Sequence, residues 1–356
     1  MRVAYLWNNG NGWIRKKGKD LLTSSYLLLK HYILKKNSIL PDYDSFAYLL
    51  DPKPLVLSIT QDIDFNVLRN YDLLIWEWGW GNEGPRQIIN IRKKLDIPIL
   101  VFPGPLDRFW REVEKETIKE HLRACALVNY VGVMLEDTVG FYQAMMPQAR
   151  VFHMPVPVDT GLFNHFAIEP FSKNSRHLLL TAPTLFFGQS SQIPITSYFV
   201  FKKLLTENPD LSGMCFVYSK DEREDAQDVF KDLNIAEKIE IYDYTRPIIS
   251  FFDRINSCYA GIFMPHTLIQ GRTALICACL GIPLVVSTEI ETHKRLFPQT
   301  SVPWTDSLGA VRKADRLLKD KSFYEDVRKY AWDKIEFYNV ENCRKRILEG
   351  IGVLGQ

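Results

Sequence analysis

Gly271-Arg272-Thr273 is the part of this sequence that most clearly offers chemistry. The triplet follows a β-rich run, Tyr259–Met264, and opens an apolar stretch ending at Leu280 that reads as a helix. The first turn of a helix carries backbone N–H groups with no partner inside the helix, and the aligned peptide dipoles put partial positive charge there. Those two properties suit a diphosphate. Glycine allows a ligand close to the backbone, Arg272 adds a charge-assisted hydrogen bond, and Thr273 adds a hydroxyl donor. The same three residues would also serve a plain turn with a solvated arginine. Lys220, after the strand Met214–Tyr218, is expected to support the same anion or to lie free on the surface. Thr184 and Gly188 sit in the loop leaving the strand His177–Thr181, where they are placed to touch phosphate. His266 follows Met264-Pro265 at the same strand end, either facing the ligand or hydrogen-bonded within its loop.

The first half offers a different set. Glu77 interrupts an aromatic run, Trp76-Glu77-Trp78-Gly79-Trp80-Gly81, at the carboxyl end of the strand Tyr71–Trp76. A carboxylate in such a place is a candidate general base or a ligand for a hydroxyl group. Asp107, after Pro103-Gly104-Pro105-Leu106, is an equal candidate, with Arg108 as a possible partner. Trp78 and Trp80 are expected to offer flat stacking faces to an acceptor. Asn8, Asn9, Gly10 and Gly12 form a tight loop after the first strand, and Asn9 and Gly10 are expected to line the acceptor side. Their spacing is not G-x-G-x-x-G. Asp62-Ile63-Asp64 and Asp243 lie near strand ends but form no coherent ligand set, so no metal is expected.

These residues hang on a regular scaffold. Strands are read at Val3–Trp7, Leu55–Ile59, Tyr71–Trp76, Ile97–Phe102, Leu127–Leu135 and Val151–Met154, with helices at Asp20–Lys36, Gln87–Leu95, Arg111–Ala124 and Asp137–Met146 between them. A polar, proline-containing stretch over 157–176 reads as a linker. Alternation then restarts, with strands at His177–Thr181, Met214–Tyr218, Ile239–Tyr242, Tyr259–Met264 and Pro283–Ser287. The intervening helices are Ser197–Leu205, Arg223–Leu233, Pro247–Ile255 and Gly271–Leu280, and Gly309–Leu318, Phe323–Trp332 and Val340–Gly350 follow. Alternation of this kind predicts an α/β fold with parallel sheets covered on both faces. The expected organisation is a Rossmann-like domain over 1–160, a second over 170–335, and a C-terminal helix over 336–356 that packs back on the first. Ligands bind such sheets at the carboxyl ends of the strands, where strand order reverses.

The run Met154-Pro155-Val156-Pro157-Val158-Asp159-Thr160-Gly161-Leu162-Phe163 resembles the domain junction of the large E-x7-E (family four-like, retaining) glycosyltransferases. There a strand leads into Pro-x-x-Val-Asp, three residues and Phe. Tyr259–Pro265, the helix at Gly271–Leu280 and Gly281-Ile282-Pro283-Leu284-Val285-Val286 are similar to that family's donor-binding helix and Gly-x-Pro-Val-Val strand. The tail from Asp306 resembles the family's C-terminal end. The resemblance implies the GT-B fold, two Rossmann-like domains facing across a cleft, and transfer of a sugar from a UDP- or GDP-type donor to a hydroxyl acceptor. It also implies that Tyr244 and Thr245 sit where the nucleotide base is held, with Tyr244 either stacked on the base or buried as plain core. Thr184 and Gly188, by their place at a strand end, are expected to reach phosphate or sugar, and Trp78 and Trp80, by their flat faces, an acceptor sugar. Two departures are plain. The motif glutamates would fall near Leu268 and Ile276, neither of them acidic, and the family's N-domain histidine would fall near Pro103 or Gly104.

Composition bounds the rest. With 356 residues, 46% hydrophobic and 24% charged, the chain is long enough for two ordinary globular domains. A formal net charge of +2 favours neither nucleic acid nor membrane. Modified DNA is therefore a less favoured acceptor than a glycan or a lipid-linked sugar. Arg15, Lys16, Lys17, Lys19, Lys30, His31, Lys35 and Lys36 form a locally basic segment, a solvated helix face or a peripheral membrane contact. Six cysteines without a CxxC pair read as reduced core residues of a cytoplasmic protein. An epimerase or hydrolase of nucleotide sugars, and a catalytically silent binding module, are the competing readings.

Overall fold

The computed structural model describes residues 1–7, 45–51, 54–58, 62–78, 83–103, 114–164, 176–180, 195–217, 220–243, 248–265 and 271–354. The basic segment and the helix expected over 20–36 lie outside them. The chain divides into two units, Met1–Leu162 with Phe337–Gln356, and Phe163–Glu336.

Unit 1 contains, in chain order, β1 (Val3–Trp7), α1 (Ser45–Leu50), β2 (Leu55–Ser58), α2 (Phe65–Leu68), β3 (Leu73–Glu77), α3 (Glu83–Lys94), β4 (Ile99–Phe102), α4 (Lys115–Cys125), β5 (Tyr130–Val133), α5 (Val139–Met145) and β6 (Arg150–His153). Its sheet runs β2-β1-β3-β4-β5-β6, with every pairing parallel. Leu73-Leu74-Ile75-Trp76 and Ile99–Phe102 are continuous apolar runs because both faces of these central strands are buried. One face, through Leu6, Leu74, Trp76, Ile99 and Val101, joins Ile88 and Ile91 of α3 and Ala124 and Cys125 of α4 in one core. The other face carries Tyr5 and Phe102, stacked at 6.3 Å, with Phe46 of α1 tilted against Phe102 at 5.1 Å. The expected strand Leu127–Leu135 is shorter, because Ala126 closes α4 by donating to the Leu122 carbonyl at 3.1 Å.

Unit 2 contains β7 (His177–Leu180), α6 (Ile195–Glu207), β8 (Ser212–Val217), α7 (Lys220–Asp232), β9 (Ile239–Asp243), α8 (Ile248–Asn256), β10 (Ala260–Phe263), α9 (Arg272–Cys279), β11 (Leu284–Ser287), α10 (Glu291–Leu296), β12 (Ser301–Val302), α11 (Ser307–Lys319) and α12 (Lys321–Ile335). Its sheet, also parallel throughout, runs β12-β11-β10-β7-β8-β9. Tyr324 of α12 stacks on Tyr259 at 4.4 Å and donates its hydroxyl to the Tyr259 carbonyl at 2.9 Å, which anchors the C-terminal helices under β10. The chain then returns to unit 1 as α13 (Val340–Gly350), which packs on β5, β6 and α1. The Val158 amide donates to the Tyr338 carbonyl at 2.8 Å, tying this return to unit 1.

Each sheet reverses its winding once. In unit 1 the chain places β2 on one side of β1 and β3 on the other; in unit 2 it places β8 on one side of β7 and β10 on the other. The carboxyl ends at β1/β3 and β7/β10 are therefore the topological switch points where such sheets take ligands. No described helix is long and apolar enough to cross a membrane. All six cysteines are buried thiols, and burial alone pushes the Cys125 thiol well above its ordinary range.

Candidate functional site

At the unit 2 switch point, β10 ends at Phe263 and α9 begins at Arg272. Gly271 is its N-cap, in the left-handed region at φ 69° and ψ 31°, with no side chain to bond the first-turn amides. Glycine takes that conformation without the strain that a Cβ brings to most residues. The first intrahelical bond closes between the Leu275 amide and the Gly271 carbonyl at 3.2 Å. The amides before Leu275 have no acceptor in the helix and point beyond its end, toward the edge carrying the strand carboxyl ends. Arg272 is exposed and Thr273 half-buried on this first turn, while Ala274 to Cys279 are buried. A fixed, apolar helix thus presents one cation, one hydroxyl and a set of amides, which is a donor set for a phosphate anion and not for a metal ion.

Lys220 is the first residue of α7, after β8, on the same sheet edge because all strands are parallel. Its ammonium is exposed and meets Glu224 at 3.1 Å, an i,i+4 surface pair. Such pairs hold a side chain weakly, so Lys220 is available to an anion only at the cost of that contact.

At the unit 1 switch point, Glu77 is the last residue of β3 and half-buried. The hydroxyl of Tyr5, on β1, donates to Glu77 Oε2 at 2.9 Å. Tyr5 is itself 1% exposed and stacked on Phe102, so the carboxylate is held by a side chain that cannot swing. Register explains the contact: Tyr5 pairs with Ile75, and side chains two apart share a face, so Tyr5, Ile75 and Glu77 line one side of the sheet. Sequence reasoning missed Tyr5 because only strand pairing brings residues 5 and 77 together.

Trp78 is corrected by the structure. Its ring is 7% exposed and stacks on Trp76 at 5.9 Å and on His121 of α4 at 5.3 Å. The indole follows the opposite face of the sheet from Glu77 and fills the core instead of offering a face to an acceptor. Asn9, Gly10, Trp80, Asp107, Thr184, Gly188, Tyr244, Thr245 and His266 lie outside the described residues. Among the residues expected to form a site, the structure brings Gly271, Arg272 and Thr273 together at one helix end, and puts Lys220 on the same sheet edge.

Sequence reasoning also missed the short helix α10. A Cβ placed on Gly271 would lie 2.8 Å from Thr292 Cβ and 3.3 Å from His293 Cδ2, so α10 backs directly against the cap. His293 is 1% exposed. Burial holds its imidazole neutral, lowering its pKa to about 3 against the opposing effect of a hydrogen bond to the Ser287 backbone.

Known proteins share this fold. Anabaena HepE, crystallised in complex with UDP, matches with a TM-score of 0.67 at 11% identity, over 99% of this chain and 100% of its own. The α,α-trehalose 6-phosphate synthase of Burkholderia multivorans matches with a TM-score of 0.66 at 11% identity, over 81% of this chain and 72% of its own. A TarM mutant of S. aureus, in complex with fondaparinux, α-GlcNAc-glycerol and UDP, matches with a TM-score of 0.59 at 11% identity, over 79% of this chain and 55% of its own. No family model matches the sequence, and no curated protein matches it. Two six-stranded parallel sheets and these neighbours define the fold as that of the GT-B class, two Rossmann-like units.

Proposed function

We propose that this chain is a glycosyltransferase that moves a sugar from a nucleotide-diphosphate donor of the UDP type to a hydroxyl acceptor, a glycan or a lipid-linked sugar. The observation that carries the proposal is the amide-bearing start of α9 at the unit 2 switch point, with Gly271 as a left-handed cap. Two fold neighbours hold UDP in their crystals, which supports the choice of nucleotide.

In the proposed reaction the acceptor oxygen forms a bond to the anomeric carbon. The bond from that carbon to the diphosphate oxygen breaks, and the nucleoside diphosphate leaves with the electron pair. Negative charge grows on the leaving group, and preorganised donors aimed at growing charge are the most effective catalytic element available to a protein. The α9 amides, Arg272 and Thr273 supply such donors, with Lys220 in support. A carboxylate takes the acceptor proton: Glu77, oriented by Tyr5, or Asp107. With cationic and amide donors on the diphosphate, the proposal includes no metal, and a chelator is expected to leave the rate unchanged. A single base-assisted displacement of this kind inverts the anomeric carbon, whereas the resemblance of the junction and donor helix to the E-x7-E transferases favours retention by attack on the leaving-group face. The anomeric coupling in a proton NMR spectrum of the product decides between them.

The test is incubation with labelled nucleotide sugars, with and without a panel of glycan and lipid-linked acceptors. Sugar transfer that requires an acceptor supports the proposal. Conversion without acceptor points instead to an epimerase or hydrolase. Thermal stabilisation without turnover points to a binding module.

A further inference from the structure

The cap that aims the α9 amides has no side chain and makes no side-chain capping bond of its own. Glycine has the largest backbone freedom of any residue, so something else must fix its conformation. Thr292 and His293, in the first turn of α10, fill the space a side chain there would need: a Cβ on Gly271 would meet Thr292 Cβ at 2.8 Å, Thr292 Cγ2 at 3.2 Å and His293 Cδ2 at 3.3 Å. Both residues are buried, at 3% and 1% exposure. His293 Nδ1 has no hydrogen-bond partner, so the bond between its ring and the Ser287 backbone is made by Nε2–H to the carbonyl. Ser287 ends β11, whose neighbour β10 precedes the α9 loop. An unbroken line of contact therefore runs from the sheet, through the imidazole, to the glycine.

We infer that Thr292 and His293 are positioning residues for the diphosphate site, holding Gly271 in its left-handed conformation so that the first-turn amides of α9 stay aligned. This rests on the reading of α9 as the diphosphate site. Both side chains are buried against the cap. They act through Gly271, and their effect falls on whatever binds the amides while leaving contacts to the base untouched.

Affinities of the full chain for UDP, inorganic pyrophosphate and uridine, measured by calorimetry or ligand-observed NMR well below the unfolding temperature, separate this from simple destabilisation. His293→Ala is expected to weaken UDP and pyrophosphate about 10-fold or more, the loss of roughly one aligned charge-assisted contact, while leaving uridine within about 2-fold. His293→Gln, whose amide N–H can reach the Ser287 carbonyl, is expected to restore UDP affinity. Thr292→Ser removes only the Cγ2 methyl and is expected to cost about 3-fold in pyrophosphate affinity, which keeps the inference testable if His293→Ala does not fold. Unchanged pyrophosphate affinity in folded His293→Ala or in Thr292→Ser, or equal losses for uridine and UDP, would overturn it. Arg272→Ala is the control: if it weakens UDP binding and the α10 variants do not, the site stands and the inference falls. If the wild-type chain binds neither UDP nor pyrophosphate, the functional reading fails and this inference with it.

Discussion

Arg272 is exposed on the first turn of α9, so its removal opens no cavity in the core and takes away one cation from the proposed anion. Arg272→Ala is expected to weaken UDP binding by about 1.5–3 kcal/mol, roughly 10- to 150-fold, with an unchanged unfolding temperature. Calorimetric titration with UDP checks this, and unchanged affinity would remove Arg272 from the site. Gly271→Ala behaves differently. It forces a side chain into φ 69° and against Thr292, and is expected to cost about 1–3 kcal/mol of stability together with UDP binding. Glu77→Gln keeps the size and the contact with Tyr5 but loses the base. It is expected to lower kcat about 10²- to 10⁴-fold with unchanged UDP affinity, if Glu77 rather than Asp107 takes the proton. Full turnover in Glu77→Gln would assign that role elsewhere. At this scale the helix start at Gly271-Arg272-Thr273 was legible from type and order alone. Trp78 was misread because one sequence cannot say which face of a strand a residue follows: the alternation that sends Glu77 one way sends Trp78 into the core with Trp76 and His121.

The elements show where legibility came from. Long apolar strands such as Leu73–Trp76 and Ile99–Phe102 announce themselves, because in a parallel sheet both faces are buried and the run is unbroken. Short polar elements do not. Glu291–Leu296 is six residues long and has a single turn of usable pattern, yet it carries the two residues that back the α9 cap. The two-residue strand β12 and the six-residue helix α1 were missed because each is too short to show a period. The buried imidazole of α10 has a consequence for pH. His293 stays neutral in the folded chain down to about pH 3, whereas its ordinary value is 6.5. Below 6.5 the unfolded chain binds a proton that the folded chain does not, so stability falls with pH from about 6.5 down to about 3, at up to about 1.4 kcal/mol per pH unit. His177, also lowered by burial, adds to the same trend. The unfolding temperature of the chain is expected to fall less steeply between pH 6.5 and 5 in His293→Gln than in wild type. Parallel slopes would show that the imidazole is not held neutral.

For the whole molecule, the order β2-β1-β3 in unit 1 and β10-β7-β8 in unit 2 places one switch point in each unit. The alternation of strands and helices made the two-sheet α/β architecture legible, while strand order and therefore the switch points came only from the pairing. The proposed diphosphate contacts lie wholly within unit 2. Saturating UDP, at about 100 times its dissociation constant, is expected to stabilise that unit by about 2.7 kcal/mol. Hydrogen exchange should accordingly slow across α9 and its sheet. Slowing confined to unit 1 would move the donor site.

The most direct measurement is a crystal structure of the chain grown with UDP. The account predicts pyrophosphate oxygens within hydrogen-bond distance, about 2.7–3.2 Å, of the backbone nitrogens that open α9, with Arg272 turned onto them. UDP bound elsewhere, with the start of α9 covered by packed side chains, would contradict it.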